Sequence, residues 1–161
     1  MIESSLYLPL LLILGGAAIA LSFRQPQLNR LLTITQLSGL LALAPLLALV
    51  WLLWQLPAIL DGQTIIWQLE WVPSIGLTAG LYLDALSWLF AALITGIGTL
   101  IVLYTGQYFK GDQTAWRFLT YILLFMVAML GVVLAGDIIT LFIFWEMTSV
   151  TSFLLVAYTY Q

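Results

Sequence analysis

One carboxylate interrupts the last long apolar run of this sequence. Ile138 to Tyr160 read IITLFIFWEMTSVTSFLLVAYTY, with Glu146 near the centre and Thr148, Ser149 and Ser152 just after it. A charged group at a bilayer centre costs a few kcal/mol on insertion scales, so an acid there points to ion or proton movement. Ser149 shares the helical face of Glu146 at i+3, and Thr148 and Ser152 form an adjacent strip one turn apart. Such hydroxyls can extend a proton path through held water or can bond a facing helix; the residues alone leave both open. Two more acids, Asp84 and Asp137, stand at the edges of apolar spans as supporting candidates. Asp84, about one turn inside the third span, either caps the helix start or stays hydrated near the interface.

A buried carboxylate has a raised pKa that a nearby cation lowers again. A glutamate facing a movable cation can therefore take up and release a proton. The spans contain no lysine or arginine, so the counter-charge for Glu146 is expected from protein outside these 161 residues.

Composition fixes the solvent of the elements that position Glu146. The chain is 63% hydrophobic and 7% charged, with a mean hydropathy of +1.13, which marks an all-α integral membrane protein. With no cysteine and no histidine, it has no disulfide, thiolate or imidazole chemistry. No metal site and no cofactor are expected. A net charge of −3 gives no basic surface for nucleic acid.

Five spans are expected, at about 4–23, 31–56, 81–104, 118–135 and 138–160. The first carries Glu3 and no basic residue ahead of it, and it reads as a retained helix, not a signal peptide. Thr33, Thr35, Gln36 and Ser38 open the second span, where they can satisfy one another or face neighbouring helices, and Pro45 is expected to kink it. Between the second and third spans, Asp61-Gly62 signals a turn and Ile65 to Val72 alternate with a period near two. That pattern predicts a small β-hairpin, turning at Val72-Pro73-Ser74, on the membrane surface with its tryptophans beside Trp51 and Trp54. Ala92, Thr95, Gly96 and Thr99 form a small-residue stripe for helix packing on the third span.

Arg24 and Arg30 lie in the first connector, Lys110 and Arg117 in the third, and the other two connectors have no basic residue. The positive-inside rule then places the N-terminus and the hairpin outside and the C-terminus in the cytoplasm of a cell membrane. Counting from Asp137 at the outer boundary, Glu146 lies about 13.5 Å deep, near the midplane of a core about 30 Å thick.

Two segments, LEWVPSIGLTAGLYLDALSWLFAALITGIGTLIVLY (Leu69–Tyr104) and FMVAMLGVVLAGDIITLFIFWEMTSVTSFLLVAY (Phe125–Tyr158), closely resemble the N-terminal part of the large A subunit of Mrp-type multisubunit cation/proton antiporters. They are similar, less closely, to the antiporter-like proton-pumping subunits of respiratory complex I. The resemblance covers about the last 90 residues well and the first two spans in pattern.

In that family the FWEMTS position holds the glutamate that pairs with a lysine on a later helix and drives proton movement by charge switching, a role the match assigns to Glu146. Asp84 matches an acid at the start of the family's third helix. Asp137 matches an acid usually followed by Asn, whereas Ile138 follows it here. The resemblance implies an N-terminal fragment of a larger subunit in a heteromeric membrane complex that moves protons against sodium or another monovalent cation. The alternatives are a proton-pumping subunit of an NADH/quinone-type dehydrogenase, and a structural or assembly fragment without transport.

Overall fold

Local signals set most of the element boundaries. The computed structural model describes residues 5–25, 32–72, 77–112 and 114–158. Pro9 sits in the first turn of helix α1 (Leu8–Ser22), where its missing N–H costs nothing. Thr33 opens α2 (Ile34–Leu60) with a reciprocal capping box to Gln36. Gly62, in the left-handed region at φ +77°, turns the chain out of α2. Strands β1 (Ile65–Val72) and β2 (Leu77–Leu83) follow, then α3 (Ala85–Tyr108), α4 (Ala115–Leu134) and α5 (Ile138–Tyr158).

Helices α2 to α5 are each long and apolar enough to cross a membrane. α1 is shorter than the expected 4–23: its 15 residues rise about 22 Å against a core of about 30 Å. The second span begins later than expected, at Ile34, and runs through Pro57 to Leu60.

Each helix packs chiefly on its antiparallel neighbours. α1 lies against α2 and α4, and α3 lies against the same two, so these four close a ring, while α5 packs on α4 from outside. Leu37, Leu41 and Leu52 of α2 and Leu119, Leu123 and Leu130 of α4 belong to one buried core cluster. Close approach depends on small residues. At Gly98 a Cβ would collide with Met126, and at Gly106 with Ser38. The polar groups expected at the start of α2 do both things anticipated for them: Thr33 and Gln36 cap the helix, and Thr35 Oγ1 donates to the carbonyl of Gly106 on α3 at 3.0 Å. Trp88 adds a second α3–α2 link through Nε1–H to the Leu52 carbonyl at 2.7 Å.

The hairpin is present, with Ile65 paired to Leu83, Trp67 to Leu81 and Gln68 to Gly80. Its turn at Pro73-Ser74 falls outside the described residues. Leu81 to Leu83, expected as the start of the third span, belong instead to β2, because β1 supplies ladder partners that a helix there would forfeit.

The hairpin is also tied to the helix ends. Trp67 packs edge-on against Tyr7 with ring centroids 5.6 Å apart. Leu81 forms an antiparallel bridge with Ala135, and the Gly136 N–H donates to the Gly80 carbonyl at 2.8 Å.

Candidate functional site

Glu146 lies eight residues after Ile138, close to the middle of α5. Its direction is set two residues earlier. Phe144 rests on Gly131 of α4 so closely that a Cβ at 131 would overlap the ring. Two residues further along at 100° each, Glu146 is about 200° around the helix and faces away from α4. The burial pattern agrees: Thr140 and Thr151 are buried, whereas Phe142, Trp145, Glu146, Ser149, Val150 and Phe153 form an exposed face.

Among the described residues Glu146 has no side-chain hydrogen-bond or ion-pair partner, and Ser149 beside it has none either. Thr148, half-buried on the neighbouring strip, donates to the Trp145 carbonyl at 2.6 Å, and Ser152 is half-buried. The site brings together Glu146 and Ser149, with the hydroxyls of Thr148 and Ser152 on its flank.

Asp137 is not part of that cluster. It stands at the N-terminal end of α5 and acts as its cap: Oδ1 accepts the N–H groups of Ile139 at 3.0 Å and Thr140 at 2.8 Å. Oδ2 accepts the Gly80 N–H at 2.6 Å and the Thr140 hydroxyl at 2.8 Å. The same Gly80 N–H also reaches Thr140 Oγ1 at 3.2 Å. One carboxylate thus latches strand β2 to the helix that carries Glu146. Burial opposes its charge, but the bonds from Thr140, Gly80 and Ile139 outweigh burial and hold the carboxyl below the ordinary aspartate value.

Gly80 and Thr140 were not foreseen. The spacing Asp137-x-x-Thr140 is a cap signal readable in sequence, but nothing local points to Gly80.

Asp84 is the N-cap of α3, not a residue within it. Its carboxylate accepts the Ser87 N–H at 2.8 Å, and its own N–H donates to Ser87 Oγ at 2.8 Å. The N–H and hydroxyl of Ser87 hold its carboxyl below the ordinary value. Asp84 and Asp137 thus flank β2 at the hairpin end of the bundle, and Glu146 lies further down α5.

Residues 69–119 match the family described as NADH-ubiquinone oxidoreductase (complex I), chain 5 N-terminus. The chain is 52% identical over 98 residues to the Na(+)/H(+) antiporter subunit A1 of Staphylococcus haemolyticus, covering 61% of this chain and 12% of that protein. It is 43% identical over 114 residues to the Na(+)/H(+) antiporter subunit A1 of Staphylococcus aureus, covering 71% of this chain and 14% of that protein. The fold superposes on the Mrp complex from Dietzia sp. with a TM-score of 0.79 and 29% identity, over 94% of this chain and 16% of that one.

The chain resembles the N-terminal part of the Mrp-type A subunits. The chain also superposes on an archaeal respiratory complex, the membrane-bound sulfane sulfur reductase. There the TM-score is 0.75 at 27% identity, over 95% of this chain and 23% of that one. Both solved relatives are multisubunit membrane complexes, and the chain is a multi-pass membrane protein. It spans about one eighth of the length of the curated relatives it matches.

Proposed function

We propose that the chain forms part of a multisubunit antiporter of the cell membrane that exchanges protons for sodium or another monovalent cation, with Glu146 as the proton carrier. The observation that carries this reading is the outward face of α5. Lipid solvates Phe142, Val150 and Phe153 well and a carboxylate poorly, so that face calls for a covering helix that supplies polar groups or a cation. A lysine on a later helix, beyond the residues present here, is the partner we assign to it. As it approaches, Glu146 gives up its proton; as it withdraws, Glu146 takes one up. Ser149, Thr148 and Ser152 hold the water or hydroxyl contacts beside it. The hairpin end lies outside, and the end bearing Arg24, Lys110 and Arg117 lies in the cytoplasm.

The match of residues 69–119 to a complex I chain favours a second reading, a proton-pumping subunit of a quinone-reducing dehydrogenase. Inverted membrane vesicles holding the assembled complex separate the two. Sodium-triggered proton exchange without a respiratory donor supports the antiporter, and proton movement driven only by donor oxidation supports the dehydrogenase. Glu146→Gln abolishes either activity while leaving assembly intact. Unimpaired exchange in that variant would reduce Glu146 to a structural residue.

A further inference from the structure

A groove of about 520 Å³ lies where the end of α1 meets the start of α4, and both Arg24 and Arg117 line it. Among the described residues no carboxylate lines it, though Asp112 accepts bonds from the Thr114 that does. Two other cavities at this end of the bundle each contain Asp112 beside a basic residue, Arg117 in one and Lys110 in the other. Asp112 is itself engaged with Thr114 and Tyr158, and among the described residues neither Arg24 nor Arg117 has an ion-pair partner. Arg117 also sits in the first turn of α4, which contains no acid, so the positive end of that helix adds to the charge of the groove. Two guanidiniums thus line one groove at the positive end of a helix.

We infer that this groove binds the phosphodiester of an anionic phospholipid, with Arg24 and Arg117 on the phosphate. Guanidinium matches phosphate oxygens two at a time, a geometry an ammonium lacks. The surroundings select a lipid over free phosphate. Leu21, half exposed, and Tyr121 lie one turn further into the bundle from the arginines and give an acyl chain an apolar path, and Trp116 sits at the level of the headgroup. The site is independent of Glu146 and of the transport reading.

The test measures lipid retained by the purified membrane complex, by native mass spectrometry. Complexes are reconstituted in phosphatidylglycerol or phosphatidylcholine nanodiscs and then washed in detergent. Phosphatidylglycerol is expected to stay bound and phosphatidylcholine to be lost. Each of Arg24→Gln and Arg117→Gln is expected to lower retention about five-fold, and the pair about 25-fold, at about 1 kcal/mol per basic residue near a membrane surface. Arg24→Lys with Arg117→Lys keeps the charge and loses the paired geometry, so its retention falls between wild type and the double glutamine variant. Lys110→Gln, at the same end but outside the groove, leaves retention unchanged.

Equal loss in Lys110→Gln, or full retention in the double glutamine variant, overturns the site. Displacement of the lipid by millimolar inorganic phosphate overturns the lipid assignment.

Discussion

Replacing Asp137 with alanine removes one side chain and four bonds, and the structure sets how much that should cost. Two of the bonds, to the N–H groups of Ile139 and Thr140, cap α5; losing such a cap costs about 1 kcal/mol. The third comes from the N–H of Gly80, a buried residue, which keeps only the Thr140 hydroxyl at 3.2 Å; weakening a buried donor this way costs a further 1 to 2 kcal/mol or so. The fourth, from the Thr140 hydroxyl, is partly recovered because that group can turn back to its own helix. The expected loss is about 2 to 3 kcal/mol of unfolding free energy in mixed micelles, and about half that for Asp137→Asn, which keeps one acceptor oxygen.

The pH dependence has a definite sign. The carboxyl is held low in the folded chain, so its contribution is complete above the unfolded value near 3.9 and is lost as pH falls through the folded value. Wild type should therefore lose more stability than Asp137→Asn as pH falls below about 4. Hydrogen exchange should quicken most at Gly80, Ile139 and Thr140. A loss under about 0.5 kcal/mol, with unchanged exchange at Gly80, would refute the latch.

Gly131→Ala should push Phe144 off α4 and cost about 1 to 3 kcal/mol, read by unfolding, and should rotate α5, read as altered cross-linking from a cysteine at Ser149. Trp88→Phe keeps the ring packing but loses the 2.7 Å bond to the Leu52 carbonyl, for an expected cost of about 1 kcal/mol. Asp84→Ala breaks the capping box of α3 and should cost about 1 kcal/mol, with faster hydrogen exchange at Ser87.

The features legible in sequence were those set by neighbours in the chain. Four of the five spans, the Asp61-Gly62 turn and the strand signalled by the alternation of Ile65 to Val72 appear in the structure, the first span being a shorter apolar helix, and Asp84 takes one of the two roles foreseen for it. What escaped depends on distant residues. LTAGLYL reads as apolar continuation into the next helix, and only pairing with β1 makes it a strand. Asp137 looked like one half of a polar pair with an unusual neighbour, but its partner is Gly80, 57 positions away. The burden on Glu146 was visible in its residue type and depth, whereas its outward direction comes from the seating of Phe144 on Gly131, a contact between two helices.

The latch between β2 and α5 also imposes an order on biogenesis. Strand β2 is complete when Leu83 leaves the ribosome, yet the groups that satisfy Gly80 arrive only with Gly136, Asp137 and Thr140. At roughly 5 to 20 residues per second, the 57 positions between Gly80 and Asp137 take about 3 to 11 seconds to make. During that interval Gly80 presents an open strand edge of the kind that recruits stray chains. A nascent chain stalled within α4 would carry the hairpin without its clasp and invite quality control at that point. The span bearing the acid is thus also the one whose arrival closes the hairpin end of the molecule.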